Sequence, residues 1–258
     1  MTVALAAVAK YLDTLLRTDE IPDYPGAVNG IQMEHHGPVH RVAVAVDASL
    51  HAIEAAVAEG ANLLVVHHGM FWSGVQPLRG RFYRRVRALV DGDLAVYSAH
   101  LPLDCHPTLG NNALLARALD LEPIAPFARF ATIHVGVSGE TDCSTSALFE
   151  RLQRLVTADG GHAIAAGLSP SRRTRRWGIC TGAGASSETL REAADKGIDT
   201  LIVGEGPHHT AVEGPEMGVA VLYGGHYATE TFGVRAVGAE LAREFSLPWS
   251  FVAAPTGL

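Results

Sequence analysis

Apolar side chains in the first half of the chain alternate between two spacings. In some segments they recur every three or four residues, which predicts amphipathic helices. In other segments they are consecutive, which predicts buried strands. Alternation of strand and helix is typical of an α/β sheet. The predicted helices cover residues 3–17, 49–59, 81–91 and 111–119, and the predicted strands cover 41–46, 63–66 and 94–98.

The second half of the chain repeats this alternation. A Gly-, Ser- and Arg-rich segment at 160–176 predicts a surface loop, and a long helix is predicted over 229–245. The other predicted elements are strands at 132–138, 177–181, 200–203 and 219–223 and helices at 144–156 and 186–196.

Two stretches of the sequence match each other, which indicates an internal repeat. In each stretch a strand and a helix lead to a glycine, Gly60 or Gly197, and a second apolar strand follows at the same spacing. A β-α-β unit is common, but here polar residues also recur at the equivalent strand ends. We therefore predict a single module, 1–258, with approximate half-repeats 1–125 and 126–258 and a site at their junction.

Histidines and carboxylates collect where these strands end. In an open α/β sheet, reactive groups gather at the carboxyl ends of the strands. The strand at 63–66 runs directly into His67, His68 and Gly69, and the glycine permits a turn that would let both imidazoles converge. Two later strands each lead to a histidine with a carboxylate four residues on. These pairs are His100 with Asp104 and His226 with Glu230.

This set of imidazole and carboxylate groups predicts a metal site. Such donors suit zinc, iron, manganese or cobalt, and the set contains no cysteine, which argues against a structural zinc knot. Six candidate ligands exceed the needs of one tetrahedral ion and would suit two ions bridged by a carboxylate. Taken alone, His67 and His68 could instead be one buried structural histidine and one surface histidine. The other histidines and carboxylates of the set make a metal site the better interpretation.

The composition narrows the range of functions. With 48% hydrophobic and 18% charged residues, the chain of 258 residues has the composition of a folded α/β protein. Its formal net charge of -7 argues against a broad surface for nucleic acids. Three cysteines without Cys-x-x-Cys spacing predict reduced thiols and a cytoplasmic protein, and no signal peptide or transmembrane stretch is predicted.

Five short blocks of sequence resemble the signature of a known family. They are HHGMFW at 67–72, SAHLPLD at 98–104, GExxxH at 204–209, GHYATE at 225–230 and NGIQ at 29–32. In their order along the chain they resemble the blocks of the Nif-three-like family, some of whose bacterial members are named type 2 GTP cyclohydrolase I. The resemblance covers nearly the whole chain and matches the short form, without the central domain of longer members.

The resemblance implies an α/β fold of two intertwined β-α-β repeats with mixed sheets. It also implies a ring-shaped homohexamer and a dinuclear centre of divalent transition metal ions, for which zinc, iron and manganese are all compatible. Carried over by motif, Glu230 would be the bridging carboxylate, and His100 would lie beside the metals or face the substrate. The implied metal ligands are His67, His68, Asp104, His226 and Glu230.

Three residues are candidate catalytic groups: His100, Glu205 and His209. A metal-dependent hydrolase needs a proton carrier within reach of its substrate. Glu205 could equally accept a hydrogen bond from a metal-binding histidine. The chain departs from the family at Gly69, where many relatives have proline, and at Leu101-Pro102, where many have Thr-Asn, so its pocket wall can differ.

Other side chains have two interpretations. Phe71 and Trp72 could stack on a planar base, although aromatic residues beside a strand end more often pack in the core. The arginines within 172–176 could hold a triphosphate, although a solvated loop is more usual. Asp47 ends a strand level with His67 and could line the pocket.

The resemblance and the metal ligands together predict a metal-dependent hydrolase of a small nucleotide-like or phosphorylated molecule, with GTP as the substrate attached to relatives. A phosphoesterase is a related hypothesis, because two-metal sites suit displacement at phosphorus. The alternative from another class is a non-enzymatic, metal-binding hexameric scaffold or regulatory protein. No membrane partner is predicted, and the net charge does not favour nucleic acid.

Overall fold

The computed structural model describes residues 2–258 and shows a mixed α/β protein. In this range the strands are β1 (Val3–Ala4), β2 (Gly30–Met33), β3 (Pro38–Val39), β4 (Val42–Asp47), β5 (Leu63–His68), β6 (Ala95–Ser98), β7 (Ala125–Phe130), β8 (Ile133–Ser144), β9 (Ile164–Ala166), β10 (Arg173–Cys180), β11 (Thr200–Val203), β12 (Ala220–Tyr223) and β13 (Trp249–Phe251). The helices are α1 (Leu5–Leu16), α2 (Leu50–Ala58), α3 (Gly80–Asp91), α4 (Leu101–Asp104), α5 (Asn111–Ala118), α6 (Thr145–Ala158), α7 (Ser187–Asp195), α8 (Thr210–Glu216), α9 (His226–Thr229) and α10 (Thr231–Phe245). Among residues 2–258, every helix is too short or too polar to span a lipid bilayer.

The chain divides into two compact units, and each unit is built from two separate segments. Unit 1 contains the chain up to Leu103 together with Gly233–Ala254. Unit 2 contains Asp104–Phe232 together with Pro255–Leu258. The chain therefore leaves each unit and later returns to it.

The main sheet of unit 1 has five strands in the order β13-β4-β5-β6-β2. The first four run parallel, and β2 pairs antiparallel with β6 at the edge. Every residue of β4 from Val42 to Val46 is buried, as expected for parallel strands that are covered on both faces. Helices α2 and α3 contribute Ile53 and Leu89 to the same core as Leu64 of β5.

The sheet of unit 2 has six strands in the order β7-β8-β10-β11-β12-β9. Strands β10, β11 and β12 run parallel in its middle, and the flanking strands pair antiparallel. The buried indole of Trp177 belongs to a core that also contains Leu148 and Leu152 of α6 and Ile202 of β11. Gly139 gives this indole its space, since a Cβ there would lie 2.5 Å from Cζ2 of Trp177.

Each unit contains the same succession of elements. Unit 1 has β4-α2-β5-α3-β6, unit 2 has β10-α7-β11-α8-β12, and in both the three strands are parallel neighbours. Parallel strands end at the same edge of a sheet, so the residues that follow them gather there. The predicted α/β fold with mixed sheets is confirmed. The half-repeats at 1–125 and 126–258 follow from sequence similarity, and they stay a prediction.

The prediction of a surface loop at 160–176 is wrong in two places. Strand β9 lies within it, and β10 already begins at Arg173. The buried hydroxyl of Thr174 lies 3.0 Å from that of Thr145 and 2.9 Å from that of Thr200, and such polar packing gives no hydrophobic signal in the sequence. The sequence pattern also misses α8, because a glycine and a proline interrupt its helical spacing.

Candidate metal centre

The double histidine lies at the end of β5 in unit 1. His67 is fully buried and His68 is partly buried, and their ring centroids are 4.8 Å apart. His100 follows β6, the neighbouring strand, and its ring centroid lies 4.9 Å from that of His67. Because β5 and β6 are parallel, this edge of the sheet brings the three imidazoles together. One candidate ligand nitrogen from each histidine lies within 4.8 Å of the other two.

Each of these histidines is held through its Nδ1 atom. The acceptors are Ala99 O for His67 at 2.9 Å, Asp47 Oδ1 for His68 at 2.9 Å and Asp23 Oδ1 for His100 at 2.8 Å. A carbonyl or carboxylate oxygen only accepts, so Nδ1 carries the hydrogen and the lone pair of the neutral ring lies on Nε2. Metal-binding histidines are commonly oriented by such a contact.

The loop between α1 and β2 fixes His100. Asp23 accepts hydrogen bonds from His100 Nδ1, from Asn29 Nδ2 at 2.9 Å and from Leu101 N at 2.9 Å. Asn29 Oδ1 in turn accepts a hydrogen bond from His100 N at 2.8 Å. Burial tends to raise the pKa of Asp23, but His100 and the other hydrogen-bond donors outweigh burial and lower that pKa. Asp23 is therefore a carboxylate that holds the Nδ1 hydrogen of His100.

Unit 2 contains a second group of predicted ligands. His226 begins α9, and its Nε2 atom lies 3.2 Å from Oε2 of Glu230. On the opposite side of the ring, His226 Nδ1 donates to Glu205 Oε1 at 2.7 Å. Asp104 and Glu230 are only 7% and 2% exposed, and a carboxylate oxygen of one lies within 4.8 Å of a carboxylate oxygen of the other. Two buried carboxylates this close repel each other unless a proton or a cation is shared between them.

A turn after β10 completes this group. Gly182 has a φ of +61°, and a Cβ at this position would overlap Glu230 Oε1 and lie 3.2 Å from His226 Nε2. The Gly182 amide donates to Thr229 Oγ1 at 3.1 Å. Glycine satisfies both the backbone angle and the available space, so the turn can lie directly against the Glu230 carboxylate.

The charges around His226 favour its cationic form. Burial lowers the pKa of His226, but the hydrogen bonds and negative charges of Glu230 and Glu205 outweigh burial and raise the pKa to about 9. Cys180 lies in the same electrostatic environment. Burial raises the pKa of its thiol, and the charges of Asp104 and Glu230 raise it further. This part of unit 2 therefore stabilises positive charge and opposes the formation of a thiolate.

The donor set fits a metal ion. Histidines of fixed tautomer and buried carboxylates are ligands that zinc, iron and manganese accept. The structure therefore contains His, Asp and Glu groups that could hold a metal ion. Chemically, these residues can bind cations beside groups that hold protons.

The chain matches one protein family along almost its whole length. The family described as Duf34/NIF3 (NGG1p interacting factor 3) matches residues 3–255. The chain belongs to the DUF34/NIF3 family. The resemblance inferred from the five sequence blocks is thereby confirmed.

Relatives of this DUF34/NIF3 protein share a name. A protein of Deinococcus radiodurans named GTP cyclohydrolase 1 type 2 homolog is 39% identical over 253 residues, which cover 97% of this chain and 93% of the relative. A protein of Halobacterium salinarum with the same name is 41% identical over 256 residues, which cover 97% of each chain. The crystal structure of TTHA1606 from Thermus thermophilus has a TM-score of 0.82 at 32% identity and covers 99% of this chain and 100% of that chain.

The predicted site residues of this DUF34/NIF3 protein occupy both units. Unit 1 gathers His67, His68 and His100, and unit 2 gathers Asp104, Glu205, His226 and Glu230. The hydrogen bond from His226 to Glu205 is the contact that an orienting role for Glu205 requires. His209 is exposed at the start of α8, where its Nε2 atom lies 3.2 Å from Ser187 Oγ. The roles assigned to these residues stay predictions.

The roles of two residues that support the candidate ligands could not be predicted from the sequence. Asp23 lies in a Pro- and Gly-rich segment that predicts only a connection, and Gly182 is one of many glycines after a strand. The NGIQ block carried a usable signal, because Asn29 belongs to it and holds His100. Asp47, expected to line the pocket, holds His68 through its carboxylate.

The arginines of 172–176 mostly contact unit 2 itself. Arg173 Nε donates to Asp142 Oδ1 at 2.6 Å, and Arg176 lies 3.3 Å from Glu140. Arg172 donates to the carbonyl of Asp199 at 2.7 Å. These contacts favour a structural role over the binding of a triphosphate.

Proposed function

We propose that this protein is a metal-dependent hydrolase with a dinuclear metal centre. Glu230 is the proposed bridging carboxylate, and the ions are divalent zinc, iron or manganese. The proposed ligands are His67, His68, Asp104, His226 and Glu230.

One observation carries this proposal: four histidines in two units are anchored in the same way. In each, Nδ1 lies 2.7–2.9 Å from a carbonyl or carboxylate oxygen. Structural histidines need no common tautomer, whereas metal ligands must each present a lone pair. The shared anchoring therefore supports Nε2 coordination by His67 and His68, and by His226 once a metal ion replaces its Nε2 proton.

Buried negative charge in unit 2 supports the proposal independently. Asp104 and Glu230 are both buried, and a buried carboxylate is costly unless it is paired or binds a metal. Asn111 Nδ2 donates to Asp104 Oδ1 at 2.9 Å, which fixes that carboxyl group. The side chains are thus held in place before any ion binds.

The residues around the ligands have distinct proposed tasks. When bound, the metal ions would supply an activated water and polarise the substrate. His100 can accept or donate a proton at Nε2, because Asp23 fixes the hydrogen on Nδ1. Glu205 orients His226 through Nδ1 and raises the basicity of its ring. His209 remains a candidate proton carrier that can act only if it approaches the substrate.

The proposed substrate is a nucleotide-like molecule, with GTP as the first candidate. The support is the name shared by the relatives from Deinococcus radiodurans and Halobacterium salinarum, GTP cyclohydrolase 1 type 2 homolog. A cyclohydrolase reaction opens the imidazole ring of guanine with water and releases formate. A phosphoesterase would release phosphate instead.

Metal analysis tests the ligand set. We expect about two transition metal ions per chain after reconstitution, measured by mass spectrometry of the elements. His67→Ala and Glu230→Ala should lose metal, whereas His51→Ala, an exposed histidine on α2, should bind as wild type does. A wild type that stays empty, or a Glu230→Ala variant that keeps both ions, contradicts the proposal.

Product analysis tests the reaction. Metal-loaded protein should release formate from GTP, and Asp104→Asn should lose metal and turnover together. Turnover by a variant shown to be metal-free would refute the mechanism. If metal-replete protein hydrolyses no nucleotide or phosphoester, the non-enzymatic scaffold replaces the hydrolase as the better hypothesis.

We also propose a ring-shaped homohexamer, on the strength of the family resemblance alone. Light scattering coupled to size-exclusion chromatography should give six times the mass of the chain. A monomer or dimer at micromolar concentration contradicts this assembly.

A further inference from the structure

Two large aromatic side chains of unit 1 are exposed beside the candidate ligands. Tyr24 is 50% exposed and Trp72 is 39% exposed. The ring centroid of Trp72 lies 4.7 Å from that of His100 and 5.8 Å from that of His68. Tyr24 lies 6.2 Å from Trp72 and 6.1 Å from His100. The aromatic pair is therefore continuous with the edge of the sheet that carries the histidines.

The rings of this aromatic pair are not parallel. The planes of Tyr24 and Trp72 are inclined at 57°, so the two rings do not stack on each other. Trp72 is nearly perpendicular to the histidine rings, at 80° to His100 and 79° to His68. Neither imidazole is therefore stacked in parallel on the indole of Trp72.

The loop that carries Tyr24 is held in a strained conformation. Val28 has a φ of +43°, in the left-handed region that β-branched residues rarely adopt. Gln32 Nε2 donates to the carbonyls of Ala27 and Val28, both at 2.9 Å, and Gln32 Oε1 accepts from Met70 N at 2.7 Å. Strain of this kind concentrates at functional sites, where surrounding contacts maintain it.

The same loop approaches Trp72 closely. A Cβ on Gly26 would lie 3.0 Å from both the Cα and the carbonyl oxygen of Trp72. Gln32 and Gly26 therefore hold the backbone of the loop that carries Tyr24 close to the backbone of Trp72. Exposed aromatic rings on backbone held in this way can form a binding surface, since each ring offers a large apolar face.

We propose that Trp72 is the stacking platform for the nucleobase of the substrate and that Tyr24 forms the side wall of the base site. Every base presents a π-face to an aromatic side chain, so stacking does not depend on hydrogen bonds that are specific to one base. This inference rests on the proposed function, because it assigns the base site of that same centre. It assigns to Trp72 and Tyr24 the recognition of a planar base as such.

Calorimetric titration separates base recognition from metal chemistry. The probes are guanosine 5′-monophosphate, guanosine and ribose 5-phosphate, each titrated into wild type in its metal-free and metal-loaded forms. The first two probes should bind and the third should bind at least roughly tenfold more weakly, because it lacks a base. The difference between the nucleotide and the nucleoside measures the contribution of the phosphate.

Four variants assign the binding to the aromatic pair. Trp72→Leu should weaken binding of guanosine 5′-monophosphate by about 5- to 100-fold, and Trp72→Phe should restore most of it. Tyr24→Leu should also weaken binding. Tyr83→Leu is the matched control, because Tyr83 is an exposed tyrosine of the same unit, on α3, and its loss should leave binding unchanged. All four variants should retain the metal content of wild type.

The outcomes separate this inference from the function on which it rests. If wild type binds no nucleoside monophosphate, if ribose 5-phosphate binds as well as the nucleotide, or if Trp72→Leu binds as wild type does, the inference is overturned. If the protein takes up no metal or hydrolyses no nucleotide or phosphoester, yet nucleotide binding depends on Trp72, the base site stands and the hydrolase fails.

Discussion

Replacing Gly182 with alanine tests whether the turn after β10 positions Glu230 for metal binding. The substitution adds one methyl group, and that Cβ would overlap Glu230 Oε1 and lie 3.0 Å from Glu230 Cδ. Ordinary contacts of a Cβ lie at about 3.4–4 Å, so the carboxylate must move away from its present position. Glu230 is only 2% exposed and has little free space into which to move.

The expected cost to the fold is small, and the expected cost to metal binding is large. Alanine in the left-handed region costs about 1–2 kcal/mol, since its Cβ crowds the neighbouring carbonyl. A displaced carboxylate loses coordination, because ligand distances in metal sites vary by only about 0.2 Å. We expect Gly182→Ala to weaken metal binding by at least roughly tenfold, the lower range for loss of a supporting contact.

Gly60→Ala provides the matched control for this experiment. Gly60 has a φ of +75°, and a Cβ at this position would meet nothing within 4 Å. Both variants therefore carry a similar backbone strain, and only Gly182→Ala disturbs Glu230. Metal affinity is measured by competition with a chromophoric chelator, and stability by urea unfolding. If Gly182→Ala binds metal as tightly as Gly60→Ala does, Glu230 is not a ligand in its present position and the reasoning fails.

Three substitutions probe other parts of the site and the fold. Asp47→Asn should weaken metal binding about 10- to 100-fold in chelator competition, since the carboxylate on His68 Nδ1 is lost; unchanged affinity would count against His68 as a ligand. Asn29→Ala should lower the free energy of unfolding by about 1–3 kcal/mol in urea titrations, because the backbone amide of His100 loses its hydrogen-bond acceptor. An unchanged midpoint of urea unfolding would contradict this prediction. Ser49→Ala should cost about 0.5–2 kcal/mol by loss of the α2 cap while metal binding stays normal; a metal defect would show that the cap acts on the site.

Much of the fold can be predicted from the sequence because its parallel strands are buried on both faces. The residues from Val42 to Val46 and from Leu63 to Val66 form uninterrupted apolar runs. Ser49, Ser144 and Ser186 mark the starts of α2, α6 and α7 as their N-caps. The elements that escape prediction are short or polar. Strand β10 begins with Arg173 and Thr174, and a buried threonine cluster stabilises it in place of an apolar face.

The candidate ligands could be predicted because their histidine and carboxylate side chains follow apolar strands, where reactive groups gather, and because their chemistry is specific. The residues that support them could not, because Asp23 meets His100 only after the chain has folded. No periodicity links these two positions, and only the antiparallel pairing of β2 with β6 brings their loops together. Long-range hydrogen bonds of this kind leave no local pattern.

The two-segment construction of unit 1 has a consequence for synthesis on the ribosome. Strand β13 pairs with β4 through Trp249 and Val42, which lie near opposite ends of the sequence. All six strands of the unit 2 sheet have left the ribosome before β13 emerges. Until then β4 is an open edge whose unpaired backbone groups can recruit another nascent chain. The vulnerable interval in the life of this protein is therefore the time before β13 emerges, when one sheet can be complete and the other still awaits a strand.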